Sequence, residues 1–147
     1  MKKTVLAGCI AVFLGGTALA QTSQEGKLPQ AAQDFIGKHF PSETVTGVEK
    51  GSSWEFWDND DMYEAYLSNG VSIDFNKNGE VTEISTGKGT KVPAAALPME
   101  IVSYVESNYS GLAIVSWGKD DKHQEIELEN GREFEFDKNG KFLKEDF

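Results

Sequence analysis

Residues 62–79 read Met-Tyr-Glu-Ala-Tyr-Leu-Ser-Asn-Gly-Val-Ser-Ile-Asp-Phe-Asn-Lys-Asn-Gly, and residues 123–140 read His-Gln-Glu-Ile-Glu-Leu-Glu-Asn-Gly-Arg-Glu-Phe-Glu-Phe-Asp-Lys-Asn-Gly. Both stretches alternate apolar and polar side chains, and both are punctuated by Asn-Gly pairs: Asn69-Gly70 and Asn78-Gly79 in the first, Asn130-Gly131 and Asn139-Gly140 in the second. Asn-Gly between alternating runs signals a hairpin, because both residues tolerate positive φ. The side chains decide the loop length. A two-residue loop would set Tyr66 opposite Ile73, Glu64 opposite Phe75 and Glu127 opposite Phe134, mixing charge and core on one face. A three-residue loop, Ser68-Asn69-Gly70, pairs Leu67 with Val71, Ala65 with Ile73 and Tyr63 with Phe75, so that one face is apolar throughout. The turn so predicted is type I followed by a bulge with a left-handed glycine. The same rule pairs Phe75 with Val81, Phe136 with Phe142 and Asp137 with Lys141. Each stretch therefore belongs to a three-stranded meander, with a further strand ahead of it.

Upstream of the first meander, Leu28-Pro29 is followed by Ala32, Phe35, Ile36 and Phe40 at helical spacing. Proline is tolerated in a helix's first turn, and Pro41 stops it. The pattern returns 69 residues later as Leu97-Pro98, Ile101, Tyr104, Val105 and Tyr109, with Val45 and Val48 matching Ile114 and Trp117. In the meanders the offset falls to 61, because the first copy carries eight extra residues near Gly51 to Asp61. The chain reads as a tandem duplication: a first unit over 28–84, a linker over 85–96 rich in Gly, Thr and Ala, and a second unit over 97–147. A unit of about 50 residues buries too little alone. The expected fold is α+β: two helix-plus-four-strand units in one continuous antiparallel sheet, both helices on one face, as one compact domain over 28–147.

Residues 1–20 read as a secretory signal: Lys2-Lys3, an apolar run, then Ala18-Leu19-Ala20 before the cleavage site, followed by a polar leader over 21–27. The apolar run is too short for a retained membrane span. Leu6-Ala7-Gly8-Cys9 is an alternative signal, a lipoprotein box that would lipidate Cys9, although only five residues separate it from Lys3. The expected location is periplasmic or secreted. Cys9 is the only cysteine, so the mature chain would have neither disulfides nor thiol chemistry. The formal net charge of −10 becomes −12 once Lys2 and Lys3 are removed, which argues against nucleic acid or an anionic membrane as partner.

Catalytic machinery is scarce. There are two histidines, His39 and His123, and one arginine, Arg132. His39 falls in the last turn of the first helix, where a cation suits the dipole. The motifs of serine hydrolases, zincins and phosphate loops are missing, so no enzyme and no cofactor are expected. Asp74-Phe75-Asn76-Lys77-Asn78-Gly79 opens like a calcium loop, but its twelfth position is Ser85 where a bidentate glutamate is needed, and its flanks have strand period. A hairpin turn explains it better.

Two features point to binding. The derived register sets Glu127 opposite Glu133 and Glu125 opposite Glu135 on the non-core face, with Tyr66 opposite Ser72 and Glu64 opposite Asp74 in the first copy. Like charges facing each other across a ladder are unfavourable. They are explained either by solubility and edge protection or by a face for a basic protein surface or cations. The extra segment adds Trp54, Phe56 and Trp57, not all of which fit on one side of a strand; tryptophan is common both at interface hot spots and in cores. Trp117, matching Val48, is expected in the core.

Leu-Pro, an aromatic ten to twelve residues on, a glutamate-rich strand and Asn-Gly-x-x-apolar-x-Phe-x-Lys-Asn-Gly occur twice, behind a signal segment. In this the chain resembles the PepSY-like proteins, exported bacterial proteins described as β-lactamase-inhibitor-like. The resemblance implies helix-plus-four-strand units similar to β-lactamase inhibitory protein and a periplasmic or secreted location; it implies no proven activity. The combined expectation is an exported, non-enzymatic module that binds another protein through Trp54, Phe56, Trp57, Glu64, Tyr66, Asp74, Glu125, Glu127, Glu133 and Glu135. The alternative is a periplasmic divalent-cation-binding or envelope accessory protein using the same carboxylates.

Overall fold

The structure is a computed structural model that describes residues 27–51 and 63–146. Its four Asn-Gly glycines are left-handed, with φ of 82° at Gly70, Gly79 and Gly140 and 81° at Gly131. The Gly70 N–H donates to the Leu67 carbonyl (3.0 Å), and the Leu67 N–H to the Val71 carbonyl (2.8 Å). The same two bonds close the other three turns, so all four have the three-residue loop that the side-chain pattern requires. Asn76 Oδ1 accepts from the backbone N–H groups of Asn78 and Glu80, and Asp137 Oδ1 from those of Asn139 and Lys141. The Asp137 carboxyl is held below its usual range chiefly by the Lys141 N–H. Asn76 thus serves its own turn.

The element order is α1 (Gln30–His39), β1 (Val45–Lys50), β2 (Tyr63–Leu67), β3 (Ser72–Phe75), β4 (Val81–Ser85), a 3-10 turn (Ala94–Ala96), α2 (Met99–Asn108), β5 (Ile114–Lys119), β6 (His123–Leu128), β7 (Glu133–Asp137) and β8 (Phe142–Asp146). The eight strands form one antiparallel sheet in chain order, and the fold is α+β. One row of facing residues crosses it: Val48, Ala65, Ile73, Ile84, Trp117, Ile126 and Phe134. All but Val48 are buried. Helix α1 meets this core through Phe35, whose ring is 6.1 Å from that of Phe75; α2 meets it through Tyr104, 5.3 Å from Phe136 and stacked 4.8 Å from Phe142.

Trp117 lies in the core, as its spacing requires, and its indole Nε1 donates to Gln124 Oε1 (3.1 Å). Four details differ from the sequence reading. Pro29 and Pro98 sit at the N-cap positions, just ahead of the first helical turn. Val45, the counterpart of buried Ile114, is 42% exposed, because β1 is an edge strand while β5 has neighbours on both sides. Burial, then Lys38, hold the His39 pKa below its ordinary value, so the ring favours the neutral form and packs 4.5 Å from Phe35. The stretch read as a linker buries Val92 and Ala96, and Thr86 Oγ1 donates to the Val115 carbonyl (2.9 Å). The signal residues with Cys9, the leader up to residue 26, and the segment with Trp54, Phe56 and Trp57 lie outside the described residues.

Candidate functional site

Alternation along each strand sends every second side chain away from the core. Strand pairing then aligns these outer residues into two rows. The first runs Glu49, Glu64, Asp74, Glu83, Gly118, Glu125, Glu135, Lys144. The second runs Gly47, Tyr66, Ser72, Ser85, Ser116, Glu127, Glu133, Asp146. With strands about 4.8 Å apart, the first row is a line of carboxylates across the sheet, broken at Gly118 and closed by a lysine. The second grades from hydroxyls to carboxylates. The pairs read from the sequence (Glu64 with Asp74, Tyr66 with Ser72, Glu125 with Glu135, Glu127 with Glu133) all stand in these rows.

Glu49 and Glu83 complete the first row and were missed. Assigning Val48 to the core would have placed Glu49 outside. Glu83 was harder, because counting from Phe75–Val81 puts Thr82 opposite Asp74. A bulge shifts the register there, so Asp74 faces Glu83 and Thr82 is buried. The matching bulge in β8 brings Lys144 opposite Glu135.

The rows leave two hollows. One of about 220 Å³ extends from β4 to β8, lined by Glu83, Ser116, Gly118, Glu125, Glu127, Glu133 and Asp146. A second of about 180 Å³ is lined by Glu49, Lys50, Gly51, Tyr63, Glu64 and Asp74. Two basic side chains stand at the far end: Lys144 Nζ lies 2.7 Å from Asp146 and 3.1 Å from Glu135, and His123 Nε2 lies 3.5 Å from Glu135. The Lys144 pKa is raised by its bonds to Asp146 and then Glu135. Ser85 Oγ donates to Glu83 (3.2 Å) and lies 3.5 Å from Ser116 Oγ. Tyr66 covers Gly47, and its phenol is pushed up to about 12, first by its hydrogen bond to Glu64, then by desolvation and the nearby carboxylates.

Among the described residues, no group of three or more His, Cys, Asp or Glu side chains is arranged to hold a metal ion. Carboxylates spread at strand spacing, flanked by hydroxyls, suit an extended array of cationic donors. Arg132 plays a different part: it forks onto Glu145 (2.6 and 2.8 Å), lies 4.6 Å over the Tyr109 ring, and ties β8 to the β6–β7 turn.

The family described as "Putative beta-lactamase-inhibitor-like, PepSY-like" matches residues 61–144. A "putative calcium-regulated periplasmic protein" from Bacteroides thetaiotaomicron is 31% identical, with 82% of this chain and 91% of that one covered and a TM-score of 0.73. A "putative periplasmic protein of unknown function" from Bacteroides vulgatus is 36% identical, with 82% and 93% covered and a TM-score of 0.69. A "putative periplasmic protein from DUF2874 family" from the same species is 33% identical, with 82% and 91% covered and a TM-score of 0.71. No curated protein matches the chain. No helix among the described residues is long and apolar enough to cross a membrane. The family pattern runs from just ahead of β2 into β8, and three solved relatives share the fold at about a third identity; the chain belongs to the PepSY-like family.

Proposed function

We propose that this chain is an exported, non-enzymatic module that binds a basic protein surface on the outer face of its sheet. The observation that carries the reading is the row Glu49, Glu64, Asp74, Glu83, Glu125 and Glu135, continuous across the strands but for Gly118. In this reading the two halves are a tandem duplication forming one domain over 28–147, with both helices on the opposite face, so the outer face is left to a partner. Corresponding bulges support the duplication: Val45/Gly47 with Ile114/Ser116, and Asp74/Phe75 with Glu135/Phe136. Trp54, Phe56 and Trp57, outside the described residues, are proposed to add apolar contacts to the same partner. The periplasmic relatives and the signal-like residues 1–20 support export.

The test is a photo-crosslinking residue placed at Ser116 on the outer face or at exposed Met99 on α2, in a periplasmic extract. Protein adducts from position 116 and none from 99 are the expected result; adducts from 99 alone would contradict it.

A second reading, weak divalent-cation binding, is favoured by the description of one relative as calcium-regulated. Calorimetry with calcium separates the two. Heat lost on Glu125→Gln, Glu127→Gln, Glu133→Gln and Glu135→Gln together, but kept on Trp57→Ala, would favour cations; a protein interface requires both sets.

A further inference from the structure

We infer that Asn130 is a self-modification site at which the chain deamidates through a cyclic imide, ahead of its other Asn-Gly pairs. In this reaction the Gly131 backbone nitrogen attacks the Asn130 side-chain carbonyl carbon and ammonia leaves. Water then opens the five-membered imide at either carbonyl, giving aspartate or isoaspartate; no other reactant is consumed. Glycine at the second position puts no side chain beside the attacking nitrogen, whose N–H must first leave its turn bond to the Leu128 carbonyl (2.8 Å), and asparagine is among the thermolabile residues.

The four pairs share the Asn-Gly dipeptide and the same turn and differ in their neighbours, and packing ranks them in the folded chain. Gly79 and Gly140 are buried under the starts of the helices. A carbon added at Gly79 would lie 2.9 Å from the Ala32 nitrogen, and one at Gly140 2.7 Å from Glu100 Cβ. Those turns are clamped too by the Asn76 and Asp137 side chains. Closing an imide, or adding a backbone carbon as isoaspartate does, would push the turn into the helix. Gly70 and Gly131 have nothing within 4 Å of that position. Between these two, the Asn69 carbonyl accepts a bond from Thr90 Oγ1 (3.4 Å), and Asn69 Oδ1 is held by the Val71 N–H at 3.1 Å. Asn130 is the more exposed, and its Oδ1 is held less closely, by the Arg132 N–H at 3.3 Å. Modification there adds a carboxylate to the hairpin that carries Glu127 and Glu133, and its isoaspartyl form is a substrate for an isoaspartyl carboxyl methyltransferase.

The test is a peptide-mapping time course on the purified folded protein at mildly alkaline pH, with isoaspartate counted by enzymatic methylation. Product should accumulate first at Asn130, then at Asn69, with Asn78 and Asn139 several-fold slower. In concentrated urea the several-fold gap between the open and the seated turns should close, because packing is then removed. Asn130→Gln should lose the leading species and leave the others. Equal rates at Asn130 and Asn139 in the folded protein, persistence of that gap in urea, or no product at Asn130 while the urea sample converts would each overturn the inference.

Discussion

Glu127 on β6 and Glu133 on β7 stand directly opposite each other on the outer face, beside the like-charged pair Glu125 and Glu135. Facing like charges are unfavourable by up to about 1 kcal/mol, and stability alone gives no reason to keep them. Glu133→Lys should therefore raise the thermal midpoint, with a gain of about 0.5–1 kcal/mol. Calorimetric unfolding checks this; an unchanged or lowered midpoint would mean that the facing glutamates carry no strain.

The buried Trp117–Gln124 bond makes a second prediction. Gln124→Leu strands the indole N–H in the core and should cost about 1–3 kcal/mol. Trp117→Phe/Gln124→Leu should cost less than the sum of the single changes, since neither polar partner is then left behind. Urea unfolding of the three variants decides it, and strict additivity would count against the bond.

The glycine turns differ in what lies above them. Gly131→Ala meets open space and should cost only the left-handed penalty, about 1–2 kcal/mol. Gly140→Ala adds a clash with Glu100 Cβ and should cost clearly more. Equal losses in chemical denaturation would contradict the tight seating of that turn under α2.

Tyr66 gives a pH prediction. Its folded pKa of about 12 lies above the ordinary 10.0, so the native state holds the phenolic proton more tightly. That contribution is fully present below pH 10.0 and is lost as pH rises through about 12. Ultraviolet titration against Tyr66→Phe isolates the step, and Glu64→Gln should bring it down, because its hydrogen bond is the largest cause of the shift. A Tyr66 step at 10.0 would refute the arrangement.

The hairpin registers were legible because a three-residue loop alone keeps Ala65, Ile73, Phe134 and Phe136 on one face. The same logic sets Glu127 against Glu133. It failed where the ladder is irregular. The bulges at Thr82 and Leu143 carry no strong local signature, and they place Glu83 and Lys144 in the acidic row. Val45 looked like Ile114 by spacing, but edge or interior position is set by the whole sheet. His39 was read from helix position alone, whereas its pKa follows from burial against the core.

The most direct test of the account is capture from periplasmic extract by the wild type and by Glu127→Lys/Glu133→Lys, at low and raised salt. Binding through the acidic face predicts a dominant basic partner held by the wild type, weakened by salt and lost in the variant, which remains folded. Capture of the same proteins by both, regardless of salt, would contradict a binding role for the acidic face.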